Sequence, residues 1–209
     1  MASTTAPTVV TQVGKLSQRV ARPAVSAERA SRSGIWVGIF AITMSFMAFT
    51  SALFVREGST DWGHLVLPSI LYVNTLALLA SSVTFEFSRR QMELTTGVRL
   101  RSEGFASIWL VVTLALGIAF CVGQYFAWQD LRAQGIYLAT NPNSSFFYLL
   151  TFIHVLHVTA GIGAFLYVLG RLLAGNGTIR RSFFENTAIY WHFMGVLWVY
   201  LLLLCRMKL

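Results

Sequence analysis

Charge is scarce in this chain: 11% of its 209 residues are Asp, Glu, Lys or Arg, against 56% hydrophobic. A soluble domain of this size rarely combines so few charges with so many aliphatic side chains, so the bilayer is the expected solvent. No Asp, Lys or Arg lies deep within any long apolar run. Pumps and ion-coupled transporters keep such groups at mid-membrane as relays, so a self-contained proton or ion pathway is not expected. Cysteine is limited to Cys121 and Cys205. They are far apart, make no metal-ligand spacing and read as free thiols. Residues 1–33 hold no apolar core of signal-peptide type, and neither a repeat nor a second domain is visible. The apolar runs also argue against a nucleic-acid partner, despite a net charge of +8.

What is present is a set of five segments near the roughly 20 apolar residues needed to cross hydrocarbon. They cover 34–55, 67–87, 105–127, 146–168 and 187–204. The expected fold is all-α, a polytopic bundle of five transmembrane helices (34–209) behind a disordered basic tail (1–33). Pro68 suits the first turn of the second helix, and Ser144 and Ser145 suit a cap on the fourth. Small residues recur at four-residue spacing, as in Ala48/Ala52, Gly117/Cys121 and Ala160/Ala164, and favour close helix contact. Trp36, Trp62, Trp128, Tyr148 and Tyr190 lie near span ends and fit interfacial belts.

Orientation follows from the basic residues outside the spans. Lys15, Arg19, Arg22, Arg29 and Arg32 fall on the same side as Arg89, Arg90, Arg99, Arg101, Arg171, Arg180 and Arg181. The other side holds Arg56, Arg132, Arg206 and Lys208. The N-terminus is therefore expected in the cytoplasm and the C-terminus outside.

Two spans carry polar groups that call for a reason. The fourth holds His154 and His157, three apart and expected to face roughly one side. The fifth opens on Phe183-Phe184-Glu185 and carries Tyr190-Trp191-His192-Phe193. A haem ligated by His154 or His157 with His192 is one reading. Axial ligation needs residues above and below the ring, however, and the expected depths differ by roughly 10–15 Å. Neutral histidines bonded across the bundle, or to lipid headgroups, are the plainer reading. Glu185 suits a helix start or a pair with Arg180 or Arg181, and Glu86 suits pairs with Arg89 and Arg90. The basic cluster reads as a topology signal that also suits anionic headgroups.

These residues resemble a family. Phe184-Glu185, then Tyr190-Trp191-His192-Phe193 and Trp198, are similar to the signature of subunit III of the haem-copper respiratory oxidases. TFIHVLHVTAG (151–161) looks like that family's paired-histidine helix, and 67–86 resembles a span of its short bacterial members. The resemblance covers about 34–204. It implies a five-helix, non-catalytic subunit of a proton-pumping terminal oxidase that reduces O2 to water in a bacterial cytoplasmic membrane. It implies a chain without haem or copper of its own, packed against subunit I with subunit II nearby, holding phospholipid and sustaining proton uptake. His154, His157, Glu185, Tyr190, Trp191, His192 and Trp198 would form the structural or lipid-contact framework, and Arg89, Arg90, Arg180 and Arg181 the headgroup contacts. The chain departs from the family pattern at Phe152 and Val155, where glycines are usual, and at Ile42 and Gly195, where acids are usual. An accessory subunit of a nitric oxide reductase and a di-histidine membrane cytochrome are the alternative readings.

Overall fold

The computed structural model describes residues 9–58, 67–94, 99–102, 104–174 and 178–208, with side chains placed for 32–58, 67–92, 107–174 and 179–208. Trp62, expected in an interfacial belt, lies outside them. Five helices run through the described residues: α1 (Val9–Glu57), α2 (Ile70–Arg90), α3 (Gly104–Ala133), α4 (Pro142–Leu173) and α5 (Arg181–Lys208). Each contains a stretch long and apolar enough to cross a membrane: Arg32–Glu57, Ile70–Arg90, Ser107–Ala133, Pro142–Leu173 and Arg181–Lys208. The α1 helix begins at Val9, inside the segment expected to be a disordered tail.

Helices α2 to α5 form a bundle, and α1 lies against α4 and α5. The reason is a repeat in the buried positions. On α2 they are Leu71, Asn74, Leu78, Ser81, Phe85 and Ser88; on α3, Leu110, Thr113, Gly117, Phe120, Gln124, Ala127 and Leu131. On α4 the stripe is Phe147, Thr151, His154, Val158, Gly161, Phe165, Val168 and Leu172. Steps of three and four alternate, which sets one narrow seam per helix and favours shallow crossings with interlocking side chains. Outward faces carry large apolar groups such as Phe40, Val73, Phe126, Leu156 and Val196, which suits a hydrocarbon solvent.

The helix ends show how the sequence punctuates the bundle. Gly135 has φ of 78° and closes α3: its N–H donates to Arg132 O at 2.9 Å, and Ile136 N–H reaches back to Leu131 O at 3.0 Å. That pair of bonds satisfies the last carbonyls and needs a left-handed residue, which glycine supplies. The α4 helix starts earlier than expected, at Pro142, whose missing N–H is harmless there. Asn141 is its N-cap and Ser144 sits inside the first turn, where its Oγ accepts from Asn141 N–H at 3.2 Å. Pro68 precedes α2 rather than entering it; its carbonyl accepts from Leu71 N–H at 3.2 Å.

One element was not foreseen. Three short strands, β1 (Met92–Leu94), β2 (Arg99–Ser102) and β3 (Thr178–Arg180), form an antiparallel sheet in the order β1-β2-β3. Leu100 aligns with Leu94 on one side and Ile179 on the other. The sheet ties the α2–α3 connection to the α4–α5 connection at the end of the bundle where Arg89, Arg90, Arg180 and Arg181 gather. The opposite end holds Arg56, Arg132, Arg206 and Lys208, with Lys208 bonded to Glu57 at 3.0 Å.

Candidate functional site

Trp191 is among the largest fully enclosed side chains of the bundle. It is fully buried, and its indole N–H donates to Ser81 Oγ on α2 at 3.0 Å. A Cβ placed on Gly117 of α3 would lie 2.8 Å from the far edge of the ring. One placed on Gly161 of α4 would lie 3.1 Å from the ring and 3.2 Å from Tyr190. Phe165 packs edge-on against the same indole at 4.7 Å between centroids. The two glycines are thus the space into which the indole fits, and one side chain of α5 locks three other helices.

The bond to Ser81 belongs to a repeated device. Ser81 Oγ donates to Leu78 O within its own helix at 2.6 Å, leaving lone pairs for Trp191. Thr75 Oγ1 donates to Leu71 O at 2.8 Å and accepts from Trp198 Nε1 at 2.9 Å. Thr151 Oγ1 donates to Phe147 O at 2.7 Å and accepts from Trp128 Nε1 at 3.1 Å. Thr50 Oγ1 donates to Phe46 O at 2.8 Å and accepts from Tyr200 Oη at 3.0 Å. In lipid every aromatic N–H or O–H needs an acceptor, yet helical carbonyls are already engaged. A hydroxyl that bonds back to its own helix resolves this by presenting its oxygen to the neighbour. Trp128 and Tyr148, expected in interfacial belts, also bond to neighbouring segments: Tyr148 is buried and its hydroxyl donates to Ile136 O, in the α3–α4 turn, at 2.8 Å.

The three span histidines face three different surroundings, which corrects the expectation that His154 and His157 share a side. His154 is fully buried, its ring 5.1 Å from Trp198 and 5.8 Å from Phe120. His157 turns toward α1, with Phe46 at 6.0 Å, and its Nδ1 meets Ile153 O of its own helix at 2.7 Å. Its backbone carbonyl accepts from Tyr190 Oη at 2.8 Å. His192 is half-buried beside Phe85, 6.2 Å away, nearer the sheet end. Trp198, which stacks on His154, is about 9 Å further along α5 than His192 at the usual helical rise. Phe120 and Trp198 both lie against the His154 ring. Among the described residues no group of three or more His, Cys, Asp or Glu could hold a metal ion.

The charged rim also differs in detail from the sequence expectation. Glu185 lies one turn inside α5 rather than ahead of it, because the helix begins at Arg181. Arg181 Nε donates to one of its oxygens at 2.6 Å, and Arg32 of α1 donates to the other at 2.8 Å. Arg180 belongs to β3 and is exposed. Glu86 pairs with Arg89 at 2.7 Å and Arg90 at 3.2 Å, as expected. These pairs are partly exposed, so each contributes at most about 1 kcal/mol. Ile42 and Val155 are half-buried apolar side chains on the core, and Gly195 backs onto Ser82, with 3.3 Å from a Cβ position to Oγ.

Polar side chains used to tie helices together, under an apolar outer face, define a multi-pass helical membrane protein. Comparison with known proteins gives the family. A family described as "Cytochrome c oxidase subunit III" matches residues 28–207. A Synechocystis protein named "Cytochrome c oxidase subunit 3" is 32% identical over 83% of this chain and 70% of its own length. A Mycobacterium leprae relative is 33% identical over 60% of this chain, which spans 59% of that protein. An Aeropyrum pernix protein named "Heme-copper oxidase subunit I+III" is 29% identical over 80% of this chain and 21% of its own length. The chain belongs to the cytochrome c oxidase subunit III family, and is thereby a subunit III of a terminal oxidase. Members of the family hold no haem or copper themselves.

Proposed function

We propose that this chain covers subunit I of a proton-pumping oxidase in a bacterial cytoplasmic membrane, retains phospholipid there and sustains proton uptake during O2 reduction. The observation that carries this reading is the Aeropyrum pernix relative, whose name joins subunits I and III in one polypeptide. Two such parts fused in one chain are parts that sit together, and subunit II belongs to the same assembly. The interior supports a non-catalytic role: Trp191, Trp198, Tyr190 and Tyr200 all spend their polar groups on neighbouring helices.

Lipid retention rests on shape. A groove of about 450 Å3 between α1 and the α4–α5 pair is lined by Gly34, Ala160, Gly161, Ala164 and Tyr190, among others. A second, of about 1070 Å3, lies between Ala48, Ala52 and Arg56 of α1 and Ser145 and Phe146 of α4. Small residues leave room for acyl chains, and the basic residues of the rim suit their phosphates. In this reading Arg89, Arg90, Arg180 and Arg181 face the cytoplasm, as the charge rule places them, with 1–33 as a basic tail and 34–209 as the membrane domain.

The test is to purify the oxidase with and without this chain and follow O2 consumption through many turnovers. The expected result is a normal initial rate with a shortened working life in the depleted enzyme, delayed by added phospholipid. An unchanged rate together with an unchanged lifetime removes the proposal.

A further inference from the structure

We propose that Asn74, Gln124 and His154 enclose a small cluster of bound water molecules inside the helix bundle. The three side chains come from α2, α3 and α4 and are 4%, 0% and 0% exposed. Five of their polar atoms have no protein partner: Asn74 Nδ2, Gln124 Nε2 and Oε1, and both ring nitrogens of His154. Every neighbouring aromatic donor described above has an acceptor, so these atoms stand apart from the pattern of the fold. Polar atoms left unpaired in such a setting each cost of order 1–3 kcal/mol, and buried polar groups are ordinarily satisfied.

The three belong to one neighbourhood. The Asn74 amide oxygen falls 2.0 Å from where Gly123 would carry a Cβ, so the amide occupies the side-chain space next to Gln124. Gln124 follows Phe120 by one turn on the buried stripe of α3, and Phe120 stands edge-on to His154 at 5.8 Å. Trp198 stacks on His154 and bonds Thr75, the neighbour of Asn74.

Their chemistry selects the occupant. The orphaned atoms comprise amide donors on Asn74 and Gln124, an amide acceptor on Gln124, and one donor and one acceptor on a neutral imidazole. Reversing either amide leaves a mixture of the same kind. A cation would want acceptors alone and an anion donors alone, whereas water, donating two bonds and accepting two, complements a mixed set. Gly123 contributes by keeping α3 clear of the Asn74 amide.

The experiment uses the full chain in detergent, as wild type and as Gln124→Met, His154→Phe and the double variant. A shared water cluster makes each single change lower the melting temperature by a few degrees, because it strands the remaining partners. The double change then recovers most of the loss. Single variants that each raise the melting temperature, with effects that add, overturn the proposal. Solid-state NMR on the wild type supplies a readout independent of the variants: transfer from water protons to the His154 ring N–H and Gln124 amide is expected. No transfer to either group overturns it as well.

Discussion

Trp191 touches three helices besides its own, and its ring constrains Gly117 while leaving Gly163 untouched. Gly117→Ala places a methyl group 2.8 Å from the indole, so the ring must move within a packed seam. The expected loss is about 1–3 kcal/mol, read as a lower melting temperature in detergent. Gly163 on the same bundle has nothing within 4 Å of its Cβ position, and Gly163→Ala is expected to be neutral or to stabilise by up to about 1 kcal/mol. Equal effects at both sites would contradict the packing described for Trp191. Ser81→Ala should also destabilise, by roughly 1–3 kcal/mol, since it leaves a buried indole N–H without an acceptor. A Ser81→Thr change that restores the hydroxyl should recover part of the loss. At this scale the sequence was legible in kind and opaque in pairing. The Tyr190–Phe193 block, Trp198 and His154 stand out because aromatic and ionisable groups are conspicuous in apolar runs. Nothing local connects Trp198 to Thr75 or Trp128 to Thr151, because those bonds depend on how helices are rotated against one another.

Among elements, the helices declare themselves and the sheet does not. Spans of this length follow from hydropathy, and the alternating three- and four-residue steps of α2 can be found by inspection once Asn74, Ser81 and Ser88 are allowed as buried positions. Strands of three or four residues are too short to show an alternating pattern, and β3 comes from a connection remote from β1 and β2. Their pairing follows from the bundle bringing two loops to the same end. Turn chemistry was partly readable. Asn141-Pro142 marks a helix start, but apolar residues begin only at Phe146, which draws the expected cap to the serines. Gly135→Ala isolates the C-terminal stop of α3: it forces a Cβ into a left-handed backbone and should cost about 1 kcal/mol. An unfolding curve that does not shift for Gly135→Ala would mean that the α3–α4 turn tolerates another geometry.

For the whole molecule, the proposed orientation makes a separate prediction. With Cys121 and Cys205 replaced, Gln134→Cys should react with a membrane-impermeant maleimide on intact cells. Arg90→Cys should react only after the cells are opened. The reverse pattern would invert the topology and move the basic rim to the outer face. The enclosure of Trp191 also has a bearing on biogenesis. The helix that carries it leaves the ribosome after Ser81, Gly117 and Gly161, which by then have already entered the bilayer. Until that segment arrives, the earlier helices surround an unfilled slot at their centre. Nascent chains stalled before residue 191 should therefore remain open to quality-control proteases, and become resistant as soon as the indole is inserted.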